Sequence, residues 1–109
     1  MKDLSLLGDL THTIEDRKSS NASDSYVASL FRSGQDQLLK KVIEEAGEVL
    51  IASKNQESSQ IVYEVADLLF HLMVLLSYHG LSMQEVLAEL GARQTISGFK
   101  EKSFENASA

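Results

Sequence analysis

The chain has 109 residues, a formal net charge of −6, no cysteine and no proline. A chain of this length forms one domain with a modest core, and we place the core at about residues 4–92 and a C-terminal tail at 93–109. The negative charge excludes a general nucleic-acid binder, which needs a basic face against the phosphates. The absence of cysteine excludes disulfides and thiolate metal sites.

The N-terminus and the longest apolar run both argue against a membrane protein. Residues 1–10 carry acidic side chains where a signal peptide has basic and then purely apolar ones. The longest apolar run, residues 68–76, is interrupted by His71 and is too short to span a bilayer. We therefore expect a soluble, cytoplasmic protein with neither a membrane nor a nucleic acid as partner.

Apolar residues at helical spacing predict two helices in the first third of the chain. The first covers residues 4–18 and ends in Arg17 and Lys18, which either stabilise the negative end of the helix dipole or contact a phosphate. The second covers residues 25–32 and begins near Tyr26. This tyrosine is either a packing residue or a substrate contact.

Two longer helices follow, separated by a polar break at residues 53–59. The first of them, about residues 36–53, contains Gly47, which costs about 1 kcal/mol relative to alanine and so predicts close approach of a neighbouring helix or a ligand. The second runs from Ser58 or Ser59, one of which we expect as its N-cap, to about residue 79. Its second half is apolar on every side, which indicates burial in a subunit interface and predicts a homodimer.

A fifth helix follows a capping box formed by Ser82 and Glu85. Its expected buried stripe is Val86, Leu87 and Leu90. The pattern as a whole predicts an all-α bundle of about five helices, without a domain boundary or an internal repeat.

Four carboxylates occupy matching positions in the two long helices. Glu45 and Glu48 are three residues apart, as are Glu64 and Asp67, so each pair lies on one helix face. If the chain turns back near Gln56, Glu48 lies opposite Glu64 and Glu45 opposite Asp67. Acidic pairs are common on solvated helix faces, but these lie among apolar residues, and buried charge is rare unless it is paired or binds metal. All-oxygen ligands suit Mg²⁺ or Mn²⁺ rather than zinc.

Three further side chains lie near this cluster. Glu44 could bind a second ion or accept the proton of an attacking water. Lys41 either contacts a phosphate or pairs with Glu45 one turn later, and His71 is either a substrate contact or a core histidine bonded to its neighbours. The chain has no glycine-rich phosphate loop, so phosphate recognition would rest on a metal ion and basic side chains.

The acidic motif resembles that of a known superfamily. Glu-Glu-x-x-Glu at 44–48 followed by Glu-x-x-Asp at 64–67 is similar to the all-α nucleotide pyrophosphohydrolases of the MazG type. Asp-Ser-Tyr-Val-Ala-Ser-Leu-Phe at 24–31 and the run at 64–76 resemble, within that group, the phosphoribosyl-ATP pyrophosphohydrolase family of histidine biosynthesis. The chain departs from the family pattern at Ile43 and Thr95, where glycines are usual.

This resemblance implies a MazG-like helical bundle, assembled as a homodimer, that hydrolyses 1-(5-phosphoribosyl)-ATP to 1-(5-phosphoribosyl)-AMP and pyrophosphate with Mg²⁺ or Mn²⁺. This is the second step of L-histidine biosynthesis. By position it assigns metal ligation to Glu45, Glu48, Glu64 and Asp67, and a base or second-metal role to Glu44. It also offers Lys41, His71 and Tyr26 as candidates for substrate contact. Arg17 and Lys18 are weaker candidates for the same role.

Two other functions stay open on sequence grounds. The same metal site could serve a housekeeping pyrophosphohydrolase that cleaves noncanonical nucleoside triphosphates. The helices could also form a non-catalytic dimerisation module whose acidic face binds a metal or a basic partner. Turnover of different nucleotides separates the first from phosphoribosyl-ATP hydrolysis, and loss of pyrophosphate release on removing single carboxylates excludes the second.

Overall fold

A computed structural model of the protein describes residues 2–21 and 25–95. Over these ranges the chain forms five α-helices and no strand, which confirms the predicted all-α class. The helices are α1 (Lys2–Arg17), α2 (Tyr26–Ser33), α3 (Gln35–Asn55), α4 (Ser58–Tyr78) and α5 (Met83–Thr95). Each lies within a few residues of its expected bounds.

Local capping explains how α2 begins and ends. The Ser25 side chain accepts a hydrogen bond of 3.2 Å from the backbone N–H of Ala28, which satisfies one of the free donors of the first turn. Gly34 then ends α2 with φ of +93°, a conformation that strains any residue with a Cβ. Because this glycine is also the first flanking residue of α3, the two helices follow each other without a loop.

The chain turns back at Gln56, as predicted, so that α3 and α4 form an antiparallel hairpin with the largest helix–helix contact among the described elements. Gln56 has φ of +60°, and its backbone N–H reaches the carbonyl oxygens of Ala52 and Ser53, both at 3.1 Å.

The predicted polar break was too long. Helix α3 continues to Asn55, because its last polar side chains stay exposed to solvent and no polar group has to be buried. The predicted serine cap was also wrong, since Glu57 precedes the first residue of α4 and its side chain makes no capping hydrogen bond.

The core lies on the side of the hairpin covered by α1, α2 and α5. Helix α4 contacts α1, α2 and α3, and its residues 68–76 are all buried or half-buried within the chain itself. By length and composition α4 meets the criteria for a membrane-crossing helix, a test that the core helix of a soluble protein also passes. The buried apolar side chains of the cluster are Ile14, Val27, Leu30, Leu38, Met73, Val74 and Met83.

The exposed apolar side chains lie on another part of the hairpin than the sequence suggested. Ile43 and Leu50 on α3 are 72% and 69% exposed, and Val62 on α4 is 68% exposed. Together with Leu39 and Val65 these residues are called the apolar α3–α4 face. The chain's own helices bury or half-bury the apolar second half of α4, so this half does not by itself require a partner subunit, and the homodimer stays a prediction.

Gly47 is placed between Ile43 and Leu50 along α3, but no helix of the described chain packs against it. A Cβ built at this glycine would meet no atom within 4 Å. The close approach predicted from the sequence is therefore absent among residues 2–21 and 25–95.

Half of the predicted capping box of α5 is present, because the backbone N–H of Ser82 donates to the Glu85 carboxylate at 2.9 Å, while the Glu85 N–H donates to the Ser82 backbone carbonyl and not to its hydroxyl. Met83 is buried, but Leu90 is 50% exposed, so its predicted place in the buried stripe was wrong. The physical reason is that α5 packs mainly on α1, so its later turns extend beyond the core. The rest of the predicted tail, residues 96–109, lies outside the described residues.

The packing of the core predicts how much stability is lost when Leu38 on α3 is shortened to alanine. Leu38→Ala removes a fully buried side chain and should lower the free energy of unfolding by about 2–5 kcal/mol. Chemical denaturation followed by circular dichroism measures this. Leu6→Ala, on an exposed position of α1, is the matched control and should change the stability by less than about 0.5 kcal/mol. Equal effects of the two substitutions would contradict the packing described here.

Candidate active site

An open cleft of about 500 Å³ lies along the α3–α4 hairpin. The two helices bring every predicted acidic residue to this cleft, although Glu48 and Glu64 are separated by the turn at Gln56. The lining residues are Lys41, Glu44, Glu45, Glu48, Tyr63, Glu64 and Asp67. The predicted antiparallel juxtaposition of the two acidic pairs is therefore what the fold produces.

Glu45 and Asp67 approach each other across the hairpin. A carboxylate oxygen of Glu45 lies within 4.8 Å of one of Asp67, and the two side chains share a hydrogen bond when one of them is protonated. Burial raises the pKa of Glu45, the hydrogen bond and the charge of Asp67 raise this pKa further, and Lys41 and His71 oppose the shift. A divalent cation at this point would supply the positive charge that two ionised carboxylates need.

The other carboxylates of the cleft differ in exposure. Glu64 is buried, and its Oε2 accepts a hydrogen bond of 2.7 Å from Nε2 of Gln60 one turn earlier. Glu44 and Glu48 are exposed. Lys41 is 3.8 Å from Glu44 and 3.9 Å from Glu45, so its ammonium group balances part of the acidic charge. The half-open arrangement leaves both buried and solvent-accessible oxygens on one surface.

His71 is 2% exposed and lies behind the cleft. Its Nδ1 is 2.8 Å from the carbonyl oxygen of Asp67, and its Nε2 is 2.8 Å from the hydroxyl of Tyr26. Burial raises the pKa of Tyr26, and the neighbouring carboxylates add to this shift against the effect of Lys41, so the phenol keeps its proton. His71 is thus a buried histidine bonded to its neighbours, one of the two alternatives considered above.

Arg17 and Lys18, the last predicted substrate contacts, do not line the cleft. Arg17 is exposed in the final turn of α1. Nζ of Lys18 donates to the carbonyl oxygen of Ser77 at 2.7 Å and lies 5.2 Å from the ring centre of Phe31. These contacts favour a structural role, in which a cation stabilises the carbonyl end of α4.

The residues of the cleft suit a hard divalent cation. Ligand atoms of Glu45, Asp67 and His71 lie within 4.8 Å of one another, close enough to surround one ion. Because both ring nitrogens of His71 already have hydrogen-bond partners, the carboxylates are the available donors. Oxygen donors with a net negative charge match the preference of Mg²⁺ and Mn²⁺.

Sequence reasoning missed three features of this site. Gln60 precedes Glu64 by one helical turn, and that spacing could have identified their hydrogen bond. Tyr63 lines the cleft beside Glu64, but no sequence pattern distinguishes it from a packing residue. The hydrogen bond between Tyr26 and His71 joins residues that are 45 positions apart, so only the tertiary fold shows it.

Comparisons with known proteins agree on one family. A family model described as phosphoribosyl-ATP pyrophosphohydrolase matches residues 7–94, a range that includes every residue of the cleft. A phosphoribosyl-ATP pyrophosphatase of Neisseria meningitidis serogroup C is 57% identical over 99 residues, which cover 91% of this chain and 92% of the relative. That of Chromobacterium violaceum is 51% identical over 98 residues, 90% of this chain and 91% of the relative. That of Nitrosospira multiformis is 48% identical over 107 residues, 98% of this chain and 88% of the relative.

The raised pKa of Glu45 predicts that its charge destabilises the metal-free protein. At neutral pH, Glu45→Gln should raise the free energy of unfolding by up to about 1 kcal/mol, because the amide can still donate to Asp67 without adding charge. The gain should shrink as the pH falls through the raised folded pKa. Glu45 then takes up a proton in the folded wild type at a pH at which the unfolded chain is still ionised, which stabilises the folded wild type.

Denaturation with a chelator present, at a series of pH values, measures this effect. Glu89→Gln is the matched control, because it removes an exposed carboxylate that pairs with Arg93 at 2.9 Å. The control should lose about 0.3–0.5 kcal/mol or less. A Glu45→Gln protein that is less stable than the wild type at neutral pH would contradict the predicted repulsion.

Proposed function

Because the chain belongs to the phosphoribosyl-ATP pyrophosphohydrolase family, we propose that it hydrolyses 1-(5-phosphoribosyl)-ATP. The products are 1-(5-phosphoribosyl)-AMP and pyrophosphate, in the second step of L-histidine biosynthesis. The observation that carries this proposal is the gathering of five carboxylates in one cleft within the matched residues. A small anionic substrate in such a cleft needs a cation between itself and the protein.

We assign metal binding to Glu45, Glu48, Glu64 and Asp67, with Mg²⁺ as the ion and Mn²⁺ as a substitute. A bound Mg²⁺ would neutralise phosphate charge, orient the anhydride and lower the pKa of a coordinated water. The support for this assignment is the chemistry of the donors. They are oxygens, they face one cleft, and burial together with Asp67 raises the pKa of Glu45, as expected where a compensating cation is absent.

The remaining cleft residues have roles in the same reaction. Water attacks a phosphorus atom of the α-β anhydride, one P–O bond forms, and the bond to the leaving phosphate oxygen breaks. Glu44 is exposed beside the buried carboxylates, where it can accept the proton of the attacking water. Lys41 is held by Glu44 and Glu45 and can turn its ammonium group to a phosphate oxygen of the substrate.

The alternative of a housekeeping nucleoside triphosphate pyrophosphohydrolase uses the same acidic cleft. The matched family model and the names of the relatives favour phosphoribosyl-ATP over an ordinary triphosphate. A non-catalytic dimerisation module has no support in these comparisons. The choice of substrate can therefore be tested directly on the purified protein.

A pyrophosphate-release assay with phosphoribosyl-ATP, dCTP, dUTP and ATP tests the proposed function. Phosphoribosyl-ATP should be cleaved fastest, and cleavage should require Mg²⁺. Asp67→Asn and Glu48→Gln should each lower kcat/KM by about 100-fold or more, because each removes a charge that stabilises the cation. Glu89→Gln, outside the cleft, should retain the wild-type rate.

Two results would reject this proposal. Faster cleavage of an ordinary triphosphate would assign the protein to the housekeeping function. Unchanged pyrophosphate release in correctly folded Asp67→Asn would show that the acidic cleft is not the catalytic site.

We also propose that the enzyme works as a homodimer in the cytoplasm and that the apolar α3–α4 face is the contact between subunits. Contiguous exposed apolar side chains are rare on monomers and usually mark an interface. Gly47 lies on this face with open space above it, so a partner helix could approach closely there. The residues of this face and of the acidic cleft lie on the same two helices, so a contact through this face would bring the partner subunit near each active site.

Charge introduced on this face predicts dissociation. Leu50→Glu should weaken self-association by roughly 100-fold, because a carboxylate would be buried in an apolar contact. Sedimentation equilibrium over a range of protein concentrations measures the change. Leu6→Glu is the control, because Leu6 is 57% exposed on α1, away from the hairpin face, and it should leave association unchanged. A monomeric wild type, or a Leu50→Glu dimer of wild-type affinity, would reject the proposed interface.

A further inference from the structure

The hydrogen bonds of His71 specify which ring nitrogen carries the proton. A carbonyl oxygen can only accept, so Nδ1 must be the N–H group that faces the carbonyl oxygen of Asp67 at 2.8 Å. Nε2 of the neutral ring is then an acceptor, and the Tyr26 hydroxyl, at 2.8 Å, donates to it. The Tyr26 proton is committed to His71, so this hydroxyl cannot at the same time donate to a phosphate oxygen.

The same N–H of His71 also faces the side chain of Asp67. The distance from Nδ1 to Oδ1 of Asp67 is 3.5 Å, while the backbone contact is shorter. His71 therefore hydrogen-bonds the backbone carbonyl of Asp67 and lies beside its carboxylate. A rotation of the imidazole ring would release both contacts.

Aromatic packing holds Tyr26, the residue that donates to His71, in place. The ring of Tyr26 stacks on Phe70 with centroids 6.3 Å apart, and the edge of His71 meets Phe70 at 5.3 Å. Such contacts restrict the side-chain torsions of both partners. Tyr26 is thus fixed in the position where its hydroxyl reaches Nε2, even though the residue as a whole is half-exposed.

We propose that Tyr26 and His71 are positioning residues that hold the Asp67 carboxylate for cation binding, with Tyr26 acting through His71 and not through the substrate. The inference rests on the proposed function in so far as that function gives Asp67 a metal ion to bind. Partners that hydrogen-bond a metal ligand fix its orientation, and their loss lowers metal affinity by about 10- to 100-fold. The two residues considered above as substrate contacts thereby gain a different role.

Manganese binding to the free protein tests this role without any substrate. Titration of the wild type and of Tyr26→Phe with MnCl₂, followed by electron paramagnetic resonance of the free ion, should show about 10-fold weaker binding by the variant. Tyr78→Phe is the matched control, because Tyr78 stacks on Phe31 and does not line the cleft. The control should bind Mn²⁺ with wild-type affinity.

A double-mutant cycle separates positioning through His71 from direct contact. His71→Asn keeps an N–H donor near the place of Nδ1 but removes Nε2, the partner of Tyr26. Adding Tyr26→Phe to His71→Asn should change Mn²⁺ affinity by less than about 2-fold, because the interaction that it removes is already lost. A loss equal to that in the wild-type background would mean that Tyr26 acts on the ion by itself and would overturn the proposal, as would wild-type affinity of Tyr26→Phe alone.

The pyrophosphate assay distinguishes failure of this inference from failure of the proposed function. With saturating Mg²⁺, Tyr26→Phe should recover kcat to within about 2-fold of the wild type, since its defect lies in holding the ion. A lasting loss of kcat would overturn the positioning role. A wild type that leaves phosphoribosyl-ATP intact, with the Mn²⁺ results as expected, would reject the proposed function and leave the positioning role in place.

Discussion

The contact between Glu45 and Asp67 is the constraint on which the rest of the structure depends. Two carboxylates whose oxygens lie within 4.8 Å of each other in a half-buried cleft repel each other when both are ionised, unless a positive charge compensates. Part of that compensation comes from the Lys41 ammonium group, 3.9 Å from Glu45. The α3–α4 hairpin therefore carries a local cost in the metal-free protein, which the packing elsewhere must offset.

That packing lies on one side of the hairpin only. Helices α1, α2 and α5 supply the buried cluster around Leu38 and Val74, while the opposite side exposes the acidic cleft and the apolar α3–α4 face. A domain of this size has few ways to stabilise an acidic surface from within. The charged cleft and the exposed apolar face lie on the same two helices, so a subunit contact there would hold α3 against α4 despite the repulsion between their carboxylates.

The sequence sufficed for features that depend on spacing along one helix or on the symmetry of the hairpin. The five helices, the turn at Gln56 and the meeting of Glu45 with Asp67 all follow from periodicity and from matched positions about a polar break. The sequence did not predict features that depend on how the helices are placed relative to one another. Leu90 has helical spacing but lies beyond the core, and the Tyr26–His71 bond joins helices whose relative placement no local pattern contains. The fold was thus more predictable from the sequence than the hydrogen bonds that position the side chains of the site.

Helix α4 connects the fold with the candidate site, because its first half carries candidate metal ligands and its second half carries core residues. Asp67 and Val74 are seven residues apart, about 10 Å along a rigid helix. Packing of Val74 and Met73 against α1 and α2 therefore helps to fix the position of Asp67 along the axis of α4, and with it the distance from Asp67 to Glu45 on α3. His71 lies between these two groups and contacts Asp67 directly. The apolar second half of α4 thus has a role within the subunit, because its packing gives the Asp67 carboxylate a fixed support.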